Sequence, residues 1–215
     1  MSVEKLEQYI TEADLVSLDN LLTEKPALVK SRTSQQVSPV MLSCYYKKPE
    51  VTALLLKYLD EINLFEASAA GKFDVVANLV YMHPEAINFY AEDGFTPLGL
   101  ACYFGQYEIA RYLVLKGADV NLPSNNGFRV YPIHSAAASN FTQIARMLIE
   151  NNAQVNVKQQ AGATALHSAA QNGNIDLLIL LLEHGADVNI RMEGGKLPAD
   201  LARDKGFVEI AEALI

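Results

Sequence analysis

The pentapeptide GADVN occurs twice, at Gly117–Asn121 and Gly185–Asn189, with a blurred copy, NAQVN, between them at Asn152–Asn156. The steps are 35 residues from 117 to 152 and 33 from 152 to 185. A phrase that returns at a near-constant interval marks a repeated structural unit, and intervals of 20–50 residues point to solenoids and related arrays. Within the phrase each residue has a structural use. Glycine permits a left-handed turn at a helix end, and Asp and Asn hydrogen-bond the turning backbone. Valine is left to fill a seam between units.

Apolar pairs extend the period over the whole chain. Leu21-Leu22, Leu55-Leu56, Leu79-Val80, Leu113-Val114, Leu148-Ile149, Leu181-Leu182 and Leu214-Ile215 follow one another at 34, 24, 34, 35, 33 and 33 residues. Ahead of the pairs, Ile109 with Leu113 and Ile144 with Leu148 give the i, i+4 stripe of a helix. Further upstream lie Ala-rich segments such as Ala136-Ala137 and Ala169-Ala170, whose small side chains let helices approach closely. Gly105 and Gly173 separate the two helical patterns, while Asp93-Gly94 and Asn126-Gly127 carry the strongest short hairpin-turn signal. One unit therefore reads as turn, small helix, tight loop, larger helix, loop. Such a unit cannot bury its apolar face alone, so units must stack.

The stretches GFTPLGLACYFG (Gly94–Gly105), YPIHSAAASN (Tyr131–Asn140) and ATALHSAAQNG (Ala163–Gly173) closely follow the phrase of one such family. On these motifs the chain resembles the ankyrin-repeat family over essentially its full length. The resemblance implies an all-α ankyrin-repeat solenoid of about seven stacked helix pairs with short β-hairpin finger loops. We expect a single domain over 1–215, with units at about 1–32, 33–62, 63–88, 89–121, 122–156, 157–189 and 190–215, the first and last being caps. Three departures are specific. Lys47 stands where an interhelix glycine is usual. The 24-residue step implies that the finger before Leu64 is missing. The finger before Pro132 carries two extra residues. The last helical pattern stops abruptly at Ile215, which suggests a natural chain a few residues longer.

Composition excludes several function classes. A formal charge of −8 opposes a sequence-blind grip on nucleic acid, which works through Lys and Arg on phosphates, and opposes docking on an anionic membrane. The longest purely apolar run, Leu177–Leu182, is far short of the roughly 20 residues a bilayer requires. The opening MSVEKLEQYI has no secretory pattern, and two cysteines do not make a disulfide scaffold. A cytoplasmic monomer is the expectation.

No catalytic, metal or cofactor site is expected. His134 and His167 hold the fourth place of the TPLH phrase one unit apart, too far to share a zinc ion, whose ligands all lie about 2 Å from it. They are expected to tie neighbouring loops by hydrogen bonds. Cys44 and Cys102 fall on buried small-residue positions two units apart, so they should be unpaired and inert. No phosphate loop, HExxH, GxSxG or CxxC is present.

What the resemblance implies is non-enzymatic binding of another protein on a concave face built from finger tips and first helices. The freely varying positions of the family map here to Tyr45 and Tyr46, Ala69 and Ala70, Tyr103 and Phe104, Ala138 and Ser139, Gln171 and Asn172, and Asp204 and Lys205, with Glu92, Phe95, Phe128, Arg129 and Lys196 on finger tips. The candidate contact set is Tyr45, Tyr46, Glu92, Phe95, Tyr103, Phe104, Phe128, Arg129, Gln171 and Asn172. Aromatics and Arg are enriched at the centre of binding surfaces. The rings should flank a shallow trough floored by Ala69 and Ala70, unless they simply pack against adjacent fingers. An alternative use of the same surface is as the inhibitory or substrate-recruiting arm of a separate enzyme.

Overall fold

A computed structural model describes residues 2–215. Helices follow in pairs: α1 (Ser2–Glu12) with α2 (Leu15–Glu24), α3 (Pro39–Tyr45) with α4 (Pro49–Leu56), α5 (Leu64–Ala69) with α6 (Phe73–Met82), and α7 (Pro97–Tyr103) with α8 (Tyr107–Leu115). Three more complete the stack: α9 (Pro132–Ala138) with α10 (Thr142–Glu150), α11 (Ala165–Asn172) with α12 (Ile175–Glu183), and α13 (Pro198–Asp204) with α14 (Val208–Ala213). The chain is thus an all-α stack of helix pairs, as the periodicity requires. Proline opens α3, α4, α7, α9 and α13, where its missing N–H costs nothing and its fixed φ suits the first turn.

The connections before α7, α9, α11 and α13 are tighter than the expected hairpins. Each is one turn closed by a backbone bond, such as Ala91 N–H to Phe95 O (2.8 Å) or Gln159 N–H to Ala163 O (3.0 Å), and no strand occurs among the described residues. Five-residue turns leave no length for a ladder. The finger before α9 closes over a longer span, Ser124 N–H to Val130 O (2.9 Å), which accommodates the two extra residues. Successive fingers are linked by Asn125 N–H to Gly94 O, Gln160 N–H to Phe128 O and Glu193 N–H to Ala161 O.

The finger before α5 is absent. From Leu56 the chain runs through a turn directly into α5, where Asn63 and Glu66 cap each other's backbone N–H groups, a reciprocal capping box. The omission divides the interior. Leu6, Leu18, Leu42 and Leu55 lie in one cluster of buried side chains that reaches Ala69 and Leu100. A second runs from Leu64 and Val76 to Leu214. The seam between the second and third pairs is also thinly packed: α3 meets α5 much less than α5 meets α7, and α4 barely meets α6.

The repeated tails form rungs. Asn121 Nδ2 donates to Asn152 O (3.0 Å) and its Oδ1 accepts from the Gln154 N–H (2.9 Å). Asn156 repeats this one unit on, with Gly185 O (2.8 Å) and the Asp187 N–H (2.9 Å). Within the two GADVN tails the aspartate folds back, Asp119 accepting from the Asn121 N–H and Asp187 from the Asn189 N–H, both at 2.8 Å. The phrase is structural: its Asn spans the seam and its Asp holds the turn.

Every interhelix turn is left-handed, at Ala13, Lys47, Gly71, Gly105, Asn140, Gly173 and Gly206. Lys47 adopts φ 54°, a region where a Cβ costs roughly 1–2 kcal/mol. At Gly105 a methyl would also overlap the Phe141 ring. Lys47→Gly should therefore raise the unfolding free energy by about 1 kcal/mol, whereas Gly105→Ala should lower it by about 2 kcal/mol or more. Denaturant titration of both variants checks the opposite signs.

Candidate functional site

The three rings of the second and fourth pairs come together. Tyr45, at the end of α3, lies 6.1 Å from Tyr103 and 5.3 Å from Phe104 between ring centroids, and Tyr103 meets Phe104 edge-on at 5.0 Å. The third pair presents only Ala69 and Ala70 at this level, and the small side chains let rings two units apart touch. The expected trough flanked by rings is therefore corrected: the rings close on one another, as offset and edge-to-face pairs prefer. Tyr45, Tyr103 and Phe104 are half-buried in consequence, and Phe95 and Phe104 pack on the N-terminal core.

Two polar links cross the missing finger. Tyr45 Oη donates to Asp93 Oδ2 (2.7 Å), whose Oδ1 accepts from the Phe95 N–H (3.2 Å). Burial first, and the Asp93 carboxylate second, push the Tyr45 phenol upward from its ordinary value, so it acts as a neutral donor. Arg32 pairs with Glu92 across the same gap. Both groups of that ion pair are at least half exposed, so its contribution is small. Glu92 is thus engaged within the molecule.

The other candidates are dispersed. Tyr46 is exposed and accepts from Gln35 Nε2 (3.3 Å). Phe128 is 63 % exposed on the long finger, beside Arg129, which lies at φ 51°. Gln171 and Asn172 are exposed two pairs further along, and Asn172 Nδ2 reaches back to Ala137 O and Ala138 O, both at 3.3 Å. Arg32 and Asp93 are not singled out by the sequence reading. Asp93 was legible only as a turn residue, and Arg32 only as the end of the first unit.

His134 ties two successive loops. His134 Nδ1 accepts from the Tyr131 N–H (3.2 Å), and Nε2 contacts Val157 O (3.1 Å) in the following loop. His167 Nδ1 accepts likewise from the Thr164 N–H (3.1 Å), but its Nε2 has no hydrogen-bond partner. Asp200, at the equivalent place, accepts from the Leu197 N–H (2.9 Å). Both thiols are buried and unpaired, and desolvation raises them, Cys44 to about 11 and Cys102 further. Among the described residues no three His, Cys, Asp or Glu side chains are grouped to hold a metal ion. No helix of those residues is long and apolar enough to cross a membrane.

A stack of helix pairs with left-handed interhelix turns, TPLH-type caps and Asn rungs defines a stacked-repeat protein. The sequence model for ankyrin repeats (3 copies) matches residues 13–124, 64–159 and 122–192, and the chain belongs to the ankyrin-repeat family. It is similar to the "Probable 26S proteasome regulatory subunit p28" of Saccharomyces cerevisiae, 27% identical over 162 residues, or 74% of this chain and 60% of that protein. It also resembles "Alpha-latrocrustotoxin-Lt1a" of Latrodectus tredecimguttatus, at 31% over 52% of this chain but 8% of the toxin. The mouse "RelA-associated inhibitor" matches at 34% over 48% of this chain and 12% of its own length. The chain thus spans 60% or less of each of these relatives. The ankyrin repeat is a non-enzymatic module that generally mediates protein–protein interaction.

Burial holds the His134 ring at a pKa of about 4, below the ordinary 6.5, and shifts His167 the same way. The folded state then binds fewer protons than the unfolded chain, so this stability is complete above pH ~6.5 and is lost as pH falls toward ~4. The stability gap between wild type and His134→Gln should be widest at pH 7 and narrow by pH 4.5, as read from urea midpoints. A gap constant with pH would contradict a buried neutral ring.

Proposed function

We propose that this chain is a non-catalytic binding module that grips another protein on its concave face, acting as a cytoplasmic monomer. The observation that supports this most directly is the aromatic group Tyr45, Tyr103 and Phe104, strapped to the finger row through Asp93. Exposed Tyr46 and Phe128 flank it in sequence and register. A surface held this way loses little entropy when a partner docks, and rings contribute contact area at low conformational cost. Glu92, Phe95 and Arg129 complete the near side of the contact, and Gln171 with Asn172 form its periphery. The same surface also serves a second reading, as the regulatory or inhibitory arm of a separate enzyme. That reading draws support from the names of the proteasome regulatory subunit and the RelA-associated inhibitor.

Tyr46→Ala and Phe128→Ala, made on exposed rings, should each leave stability within about 0.5 kcal/mol and together weaken capture of the partner from native-cell lysate by about tenfold or more. Tyr103→Ala with Phe104→Ala should weaken it at least as much, but at a cost in thermal midpoint because these rings pack on Tyr45. Binding that survives both double variants, or that falls only in step with unfolding, defeats the aromatic site. An enzyme recovered with the chain, whose kinetics change on its addition, would establish the second reading.

A further inference from the structure

The seam between the second and third pairs differs from the later ones in one decisive respect. In those, the residue just after an interhelix turn seats itself on the turn of the preceding pair. Gln106 lies under Gly71, so close that a Cβ there would stand 2.7 Å from its Oε1, and Gln106 Nε2 donates to Ala69 O (3.1 Å). Phe141 lies against Gly105, and Phe207 against Gly173, where a Cβ would stand 2.6 Å from the ring. Asn174 Nδ2 donates to Asn140 Oδ1 (3.2 Å). At the second seam the corresponding residues are Lys72 and Lys47. Both carry like charge and line one cleft, and among the described residues no side-chain hydrogen bond joins the two turns there.

A cleft of about 430 Å³ stands open there. Its floor is apolar, from Leu56, Ala69, Ala70 and the Phe104 ring, and its rim carries Lys47, Lys48 and Lys72 with no carboxylate among the lining residues. Among the described residues none of these lysines makes an ion pair, although the chain as a whole carries −8. Asp60, Glu61 and Asp74 line a separate cleft that shares Leu56 and Lys72, while Glu50 follows Pro49 in the first turn of α4 without lining this one. The first turn of α4, at Lys48 and Pro49, forms one wall.

From this geometry we propose that the cleft between the second and third helix pairs docks an acidic segment of a partner protein, with a carboxylate between Lys47 and Lys72 and an apolar side chain against Leu56, Ala70 and Phe104. The missing plug is supplied in trans by a group of opposite charge. This inference rests on the protein-binding reading above and names the chemistry of the partner. Charge complementarity of this kind sets both specificity and encounter rate, and the apolar floor supplies the burial that exposed charge pairs alone do not.

The test uses two fluorescein-labelled octapeptides on the full chain: Glu-Glu-Asp-Leu-Phe-Glu-Asp-Glu, and its counterpart with Lys at every acidic position. Fluorescence anisotropy should show saturable binding of the acidic peptide, at least about tenfold tighter than the basic one, and weaker in 0.5 M salt. Lys47→Glu with Lys72→Glu should abolish it. Lys47→Gly, which relieves a left-handed backbone and is expected to fold more stably, should still weaken binding, separating loss of charge from loss of structure. Equal affinity for both peptides, no binding of the acidic one, or binding unchanged in the Lys47/Lys72 variants overturns the proposal. If it is overturned while partner capture still depends on Tyr46 and Phe128, the broader binding reading stands without the acidic partner. If the acidic peptide binds through the lysines but capture ignores Tyr46 and Phe128, the cleft stands and the aromatic site falls.

Discussion

A helix pair of this length cannot bury its apolar face within itself, and everything else in the molecule follows from the need to complete each pair against the next. The repeated leucines, the alanines of the first helices and the Asn rungs are all parts of one joint made over and over. Burying a Leu such as Leu113 or Leu148, each fully buried, contributes on the order of 2 kcal/mol. That gain exists only when the neighbouring unit is in place. The local chemistry of turns and caps therefore serves register: a left-handed interhelix residue aims the second helix, and the plug from the next unit locks the aim.

Periodic features were legible in the sequence because each repeats the same local physics. The spacing of Leu79-Val80, Leu113-Val114 and Leu148-Ile149 placed the second helices. The Ala-rich segments placed the first helices and, with them, buried Cys44 and Cys102. The 24-residue step was enough to remove one finger, since no loop of normal length fits it. The loop-tying role of His134 followed from its place in the TPLH phrase.

Non-periodic pairings were illegible for the complementary reason. Tyr45 reaches Asp93, and Arg32 reaches Glu92, across a gap whose width depends on how closely Ala69 and Ala70 allow the flanking pairs to approach. No spacing rule encodes that distance, so the rings were expected to stand apart when they in fact touch. Lys47 stands out in the sequence as a departure from the interhelix glycine, but that it shares a cleft with Lys72, 25 residues on, depends on the stack. The unsatisfied Nε2 of His167 is likewise a matter of how one loop settles on its neighbour, which a motif alone does not fix.

The division of the interior at the second seam makes the array mechanically uneven. In a linear stack, stability is a sum of intrinsic unit terms and nearest-neighbour coupling terms, and the chain parts where coupling is smallest. Here that joint lies between a two-pair block and a five-pair block, bridged by a phenol, an ion pair and the packing of Ala69, Leu100 and Phe104 on the N-terminal core. Amide protons of α3 and α4 are expected to exchange through a partial opening at this seam that leaves α9 to α12 protected. The omitted finger thus places the weakest coupling of the array at one known joint, so that local loss of order has a defined place to begin.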